Sequence, residues 1–346
     1  MIVFDRKLDV ARGRIDLSHG AGGRATTRLA HDIFYPAFAN DLLAAGNDQA
    51  VFASPAARLA MSTDSYVVSP LFFPGGDIGA LAVNGTINDL AMGGAQPLYL
   101  SASFIIEEGF PFADLRLIAE SMGAAARAAG AMIVTGDTKV VERGKADGVF
   151  ITTTGVGAVA PEVELSGERA RPGDCVILSG GLGEHGVAVM IARQNLGFGA
   201  GIASDCAALH ELTASMIAVA GPSIRLMRDP TRGGLAATLN EIAQQSQVGF
   251  KISEAEIPVK PAVAAVCELL GLDPLNVANE GKLVAIVDPV AAPALIEAMR
   301  AHPLGQDAAA IGTVIEDRHR YVQMETKFGG RRIVDWLSGE QLPRIC

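Results

Sequence analysis

Cysteine is scarce. Four occur in 346 residues, at Cys175, Cys206, Cys267 and Cys346, and no two share a Cys-x-x-Cys spacing. That argues against a disulfide framework, a zinc cluster and a thioredoxin-type motif. Aromatic residues make up only 5%, too few for a base-stacking surface. No run approaches the roughly 18 apolar residues of a membrane span, and the N-terminus has no long apolar core of a secretory signal. Positive charge is also in the minority: 28 Lys and Arg against 38 Asp and Glu leave a net charge of −10. Such a chain repels phosphate backbones at long range, so nucleic acid is not the expected main partner. The expected setting is cytoplasmic, soluble and reducing.

Apolar residues reach 49% and glycines number 39. That is ample for a core, with many tight turns and close backbone approaches. At about 150 residues per domain the length suggests two domains. The first half alternates between strand and helix patterns. Strands are expected over 59–68, 98–106, 132–135 and 149–159. Helices are expected over 26–34, from Asp77 to Leu90, and from Pro111 to Gly130. Residues 161–174, PEVELSGERARPGD, form a polar junction. The second half restarts with a strand at Cys175. Helices are expected over 184–194, 205–220, 235–245, 263–270 and 293–299, and strands over 248–252, 283–287, 310–315 and 321–324. Both halves are thus mixed α/β. The last segment, LSGEQLPRIC, has no periodic face and is expected to be a mobile end.

Several motifs combine glycine with charge. Ser18-His19-Gly20-Ala21-Gly22-Gly23-Arg24 can converge backbone N–H groups on an anion but is not a P-loop. Asp48, Asp64, Asp89 and Asp137 stand near strand ends or turns. Magnesium takes oxygen ligands, commonly one or two carboxylates plus phosphates, so their convergence would suit a Mg–nucleotide site. Taken singly, each is more commonly a cap or turn residue, and the case for metal depends on their convergence. Lys139, after Gly136-Asp137-Thr138, could meet a phosphate or move a proton. Glu280, in Asn279-Glu280-Gly281-Lys282, could be a base, a ligand or a loop residue. Asp229-Pro230-Thr231-Arg232-Gly233-Gly234 offers a carboxylate, a hydroxyl and a guanidinium at a helix entrance. Cys346 is expected to be an exposed thiol on a free end, whereas the other three cysteines sit in apolar surroundings and are expected in the core. Of the histidines, only His19 stands beside a glycine motif.

STDSYVVSPLFFPGGDIG, NDLAMGGAQPLYLS, GDTKVVERG, HGAGGR and the closing PRIC together resemble the HypE family of hydrogenase maturation factors, the carbamoyl dehydratases. That family sits in an ATP-using superfamily with aminoimidazole ribonucleotide synthetase, selenophosphate synthetase and thiamine-phosphate kinase. The likeness runs from about residue 15 to residue 346. The internal motifs point to the superfamily, and Pro343-Arg344-Ile345-Cys346 selects the family within it.

The resemblance implies a two-domain PurM-like α/β fold. Residues 1–160 would form a strand-rich ATP and dimerisation domain, 161–337 an α/β sandwich, and 338–346 a flexible tail. It also implies a reaction. A partner carbamoyltransferase, HypF, loads a carbamoyl group onto Cys346. ATP then drives its dehydration to a thiocyanate, and the cyanide passes through HypC–HypD to the iron of a [NiFe]-hydrogenase. Cys346, Lys139 and Glu280 would be catalytic. Gly22, Gly23, Asp64, Asp89, Asp137, Asp229 and Thr231 would bind ATP, and Asp48, Asp64, Asp89 and Asp137 would hold Mg2+. Residues 338–346 could reach roughly 30 Å when extended, enough for a swinging tail. The alternatives are a superfamily kinase or synthetase acting on a diffusible substrate, and a non-catalytic scaffold. The absence of any cysteine before Cys175 disfavours the selenophosphate branch.

Overall fold

The computed structural model describes residues 7–21, 23–44, 49–194, 201–336 and 344–346. Its strands are β1 (Arg58–Tyr66), β2 (Phe72–Phe73), β3 (Gly76–Asp77), β4 (Ala95–Glu107), β5 (Met132–Val141), β6 (Val149–Val159), β7 (Cys175–Leu178), β8 (Ile224–Arg228), β9 (Gly249–Ser253), β10 (Val284–Val287), β11 (Ala309–Ile315), β12 (Val322–Glu325) and β13 (Arg331–Val334). The helices are α1 (Arg24–Leu29), α2 (Tyr35–Phe38), α3 (Asp41–Ala44), α4 (Ile78–Met92), α5 (Phe112–Ala128), α6 (Glu184–Gln194), α7 (His210–Ala220), α8 (Gly234–Ser246), α9 (Pro261–Leu270) and α10 (Ala292–Arg300).

In the first half, β1-β6-β4-β5 form one sheet, in that order. Strands β1, β6 and β4 pair antiparallel, and β4 pairs parallel with β5. Alternate side chains face opposite sides of such a sheet. Tyr66, Leu100, Phe104, Ile106, Val149 and Ile151 point under α4 and α5 and are buried. On the other face Met61 is 74% exposed, with Leu59, Ile105 and Met132 also open.

Helix α4 starts where expected. The Asp77 carboxylate accepts the N–H groups of Gly79 at 2.7 Å and Ala80 at 3.1 Å, satisfying two donors of the first turn. The anticipated apolar face of Ile78, Leu81, Ala82 and Leu90 is buried. So is most of the rest of the helix, because α4 packs on its own sheet and α5 on one side and on α7 and β8 on the other.

In the second half β13-β12-β9-β11-β7-β10-β8 form a mixed sheet, in which only β12 and β9 run parallel. Helix α8 covers one face through Leu235, Leu239 and Ile242. Helices α7 and α10 cover the other through Leu212, Met216, Leu295 and Met299.

Strands β8 and β13, and the short β2, β3, α2 and α3, are not among the expected elements, and three expected elements have other bounds or form. β5 does not stop at Thr135 but continues to Val141, so Asp137 and Lys139 lie within a strand. Gly136 permits this: a Cβ there would lie 2.1 Å from the Ala102 carbonyl oxygen of β4. The expected helix over 205–220 begins only at His210, because residues 204–207 are held by contacts across the site. The expected helix over 26–34 is α1 followed by a wide π turn over Ala30–Phe34.

Candidate active site

The two halves meet at a cluster of carboxylates. Asp64 comes from β1 and Asp89 from the last turn of α4, where Ser62 Oγ donates to Asp89 Oδ2 at 2.6 Å. Asp229 follows β8, and Glu280 precedes β10. Buried Asn279 ties the surrounding loops together. Its N–H and Nδ2 donate to the Pro230 carbonyl at 3.1 and 2.9 Å, and its Oδ1 accepts the Gly183 N–H at 2.7 Å. Thr231 sits in the turn between Asp229 and α8, which Gly234 closes at φ +60°. A Cβ at Gly234 would lie 2.5 Å from the Leu275 carbonyl oxygen.

Glu280 is held by its backbone. Its N–H donates to Asp205 Oδ1 at 3.1 Å, and the next N–H, of Gly281, to Asp205 Oδ2 at 3.2 Å. Its carbonyl accepts from Asn88 Nδ2 of α4 at 3.1 Å. A Cβ at Gly281 would lie 1.8 Å from the Asp205 carbonyl oxygen, so the two loops can pass only at glycine. Asp205 is ion-paired at 3.2 Å with half-buried Lys282, which also faces Glu184 at 3.6 Å. The Glu280 side chain is 3% exposed, and its Oε1 has no hydrogen-bond partner.

These acids share one field. Burial, then Asp229, Asp205, Asp64 and Asp89, push Glu280 well above the usual carboxylate range. Burial raises Asp229 to about 7, with Asp89 and Asp64 adding and Arg228 opposing. Asp89 is raised by burial, with the Ser62 hydrogen bond opposing and Asp64 adding. Such a group of hard, mutually repelling oxygens suits a divalent cation. Among the described residues, however, no three His, Cys, Asp or Glu side chains are placed to hold a metal ion by themselves.

The C-terminus enters this field. The Val67 N–H donates to the Cys346 carbonyl at 3.1 Å and the Ser69 N–H to the Arg344 carbonyl at 3.2 Å, a ladder at every second residue. Arg344 Nε donates to the Val67 carbonyl at 3.0 Å, while its guanidinium pairs with Asp147 and lies over the Phe150 ring. Ile345 is buried. From α6, Arg193 donates to the Ser69 and Arg344 carbonyls at 2.7 and 2.6 Å. His185 Nε2 donates to the Ile345 carbonyl at 2.8 Å. The Cys346 thiol is pushed up by burial and further by Glu280, Asp64 and Asp229, against Arg232. The expected free end is therefore docked at residues 344–346.

The structure gathers Asp64, Asp89, Asp229, Glu280 and Cys346. It does not bring Asp137 and Lys139 to them within one chain. These two lie on β5, at the opposite edge of the sheet from β1, three strand spacings or about 14 Å away. There Lys139 Nζ pairs with Asp137 at 2.8 Å, exposed, and the Asp137 carboxyl falls below its usual value through that contact. Gly20 of the glycine motif packs on the same strand, against Val140. Gly23 lies beside it as the cap residue before α1. Gly22 and Asp48 lie outside the described residues. His19 is structural: its Nδ1 accepts the Asp16 N–H at 3.1 Å, and its ring packs edge-on to Phe112. Cys206 is not a plain core residue, since Asn84 Nδ2 donates to its sulfur at 3.4 Å beside the carboxylates.

Sequence reasoning missed Asn88, His185, Arg193, Asp205 and Asn279. For His185 a signal existed: it follows the glycine turn 180–183 at the start of α6.

Two family models match, AIR synthase related protein, N-terminal domain, over residues 46–159 and its C-terminal domain over 171–325. A relative named carbamoyl dehydratase HypE, from Bradyrhizobium diazoefficiens, is 68% identical over the full length of both chains. A crystal structure of the hydrogenase maturation protein HypE in complex with ATP superposes with a TM-score of 0.92 at 49% identity, covering 95% of this chain and 99% of that one. That of a HypE–HypF complex gives 0.79 at 47% identity, covering 89% and 99%. The chain belongs to the HypE family of carbamoyl dehydratases, hydrogenase maturation proteins built on the AIR synthase related fold.

Proposed function

We propose that this chain dehydrates a carbamoyl group carried on the Cys346 sulfur to a thiocyanate, at the expense of ATP, and so supplies cyanide for the iron of a [NiFe]-hydrogenase. The observation that carries this reading is the terminal thiol docked within the field of Glu280, Asp229 and Asp64. A docked thiol with a raised pKa is a poor nucleophile. The carbamoyl group is therefore accepted with the tail outside, from HypF, and converted with the tail inside.

The amide oxygen on Cys346 attacks the γ-phosphoryl group and releases ADP. Loss of one N–H proton gives an S-linked imidate phosphate. Departure of phosphate with the second N–H proton leaves the nitrile. The net change is S-carboxamide plus ATP to thiocyanate, ADP and phosphate. Glu280, buried, with Oε1 unpartnered and in the same field as the thiol, takes the N–H proton in its ionised form, which a cation held by the neighbouring carboxylates would favour. Arg232 holds positive charge toward the transferring group. Thr231 and the Gly233-Gly234 turn line its approach.

Asp64, Asp89 and Asp229 would hold Mg2+, with Asp48 a further candidate ligand. The fit rests on the mutual repulsion of these carboxylates. The ion would neutralise charge on the phosphates and orient them for in-line transfer.

Asp137, Lys139 and the Gly20–Gly23 loop join this site from a second subunit in a homodimer made through the open sheet face. The apolar side chains of that face, Met61, Leu59, Ile105 and Met132, support that contact. Lys139 then meets phosphate and Glu280 the proton. The domains run 1–160 and 161–337 with the tail 338–346, which agrees with sheets ending at Val159 and restarting at Cys175. HypC–HypD would receive the cyanide. Free Cys175, Cys206, Cys267 and Cys346 suit a cytoplasmic location, and among the described residues no helix is long and apolar enough to cross a membrane.

Intact-mass spectrometry after incubation with the transferase and carbamoyl phosphate tests the acceptor. The wild type gains one carboxamide on the C-terminal peptide and C346A gains none. A carbamoylated C346A protein would overturn the reading.

A further inference from the structure

His185 belongs to none of the motifs in the sequence, yet it is fully buried and both ring nitrogens are engaged. A carbonyl oxygen can only accept, so the 2.8 Å contact to Ile345 puts the proton on Nε2. Nδ1 then accepts, and Ser204 Oγ donates to it at 2.8 Å. Ser204 Oγ in turn accepts the Cys206 N–H at 3.0 Å. The chain of donors has one direction: Cys206 N–H, Ser204 hydroxyl, His185, Ile345 carbonyl. The residue between Ser204 and Cys206 is Asp205, whose carboxylate holds the backbone of Glu280 and Gly281. One tripeptide therefore fixes both the tail and the proton-accepting carboxylate. Burial lowers the pKa of His185 against the opposing pull of Asp205, which keeps the neutral tautomer that this chain needs. The edge of the Phe73 ring holds the imidazole plane, with ring centroids 5.4 Å apart.

We propose that His185 is a positioning residue that holds the tail in its docked register, so that it serves the dehydration step and not the loading of Cys346. This rests on the carbamoyl dehydratase reading above. Loading takes place with the tail outside, where the Ile345 carbonyl is in water and His185 does not touch it. Dehydration needs the carbonyl seated, and without His185 that buried acceptor is unpaired.

The test follows both phases by quenched mass spectrometry of the C-terminal peptide, in the full-length protein with HypF, carbamoyl phosphate and ATP. H185A is expected to load at the wild-type rate but to lose water about 10- to 100-fold more slowly, the weight of one buried unpaired carbonyl. H185Q, whose amide can donate in place of Nε2, is expected to recover most of that loss. S204A, which keeps the imidazole but frees its tautomer, is expected to fall between. Without HypF, alkylation of Cys346 should be about tenfold faster in H185A, because the tail spends more time undocked. The proposal is overturned if H185A dehydrates at the wild-type rate, if loading and dehydration fall together, or if H185Q is no better than H185A. A wild-type protein that loads but never loses water defeats the functional reading itself, and this inference with it.

Discussion

The Asp205 carboxylate receives the backbone N–H of Glu280 on one oxygen and that of Gly281 on the other, at 3.1 and 3.2 Å, while its charge is met by half-buried Lys282. D205N keeps only one acceptor oxygen and leaves Lys282 paired with Glu184 alone, at 3.6 Å. Losing one acceptor and one of the two carboxylates facing Lys282 costs about 2 kcal/mol. The loss is expected in urea unfolding at pH 7, together with slower dehydration, because Glu280 loses its anchor.

Asp229 titrates near 7 in the folded protein, against an ordinary value of 3.8. For an acid raised on folding, the native state binds the extra proton, so stability falls as pH rises from about 4 to 7. D229N removes that penalty. In the absence of Mg2+, thermal melts should show D229N more stable than wild type at pH 8, by about 2 kcal/mol after allowance for partial exposure, and no more stable at pH 4. Added Mg2+ should stabilise the wild type at pH 8 and D229N less.

Lys139 and Glu280 stand on different edges of one chain but in one site of the proposed dimer. K139A and E280Q should each abolish turnover alone. In a mixture, half the dimers pair the two variants and regain one complete site in two, so about a quarter of wild-type activity should return. A mixture as inactive as its components would contradict the shared site. M61E, on the open face, should yield monomers by sedimentation and lose ATP turnover.

Arg344 is read three ways: by the Val67 carbonyl, by Asp147 and by the Phe150 ring. A lysine cannot repeat that planar, forked contact. R344K should dehydrate loaded Cys346 about tenfold more slowly, a loss near that of one charge-assisted hydrogen bond, with a thermal midpoint close to that of wild type.

Much of this site could be read from the chain. Asp64, Asp89, Asp229 and Glu280 announce themselves because strand ends and glycine turns are where carboxylates can meet a ligand. Pro343-Arg344-Ile345-Cys346 is specific enough to name a family. What local pattern could not supply was which groups share a field. Asp137 and Lys139 have the same local texture as Asp64, but strand order puts them on the far edge. Asp205 looks like the first turn of a helix until its carboxylate is seen to be taken by residues 280 and 281. The docked tail is invisible for a similar reason: Arg344 meets Val67 across 277 positions of chain, and a terminus without periodicity reads as free.

Dehydration of docked, carbamoylated Cys346 must consume ATP. A single-turnover experiment on the pre-loaded protein, following phosphate release and the mass of the C-terminal peptide together, tests it most directly. One phosphate should appear for each water lost from the carboxamide, and neither without ATP. Water loss in the absence of ATP, or phosphate release while the carboxamide stays intact, would contradict it.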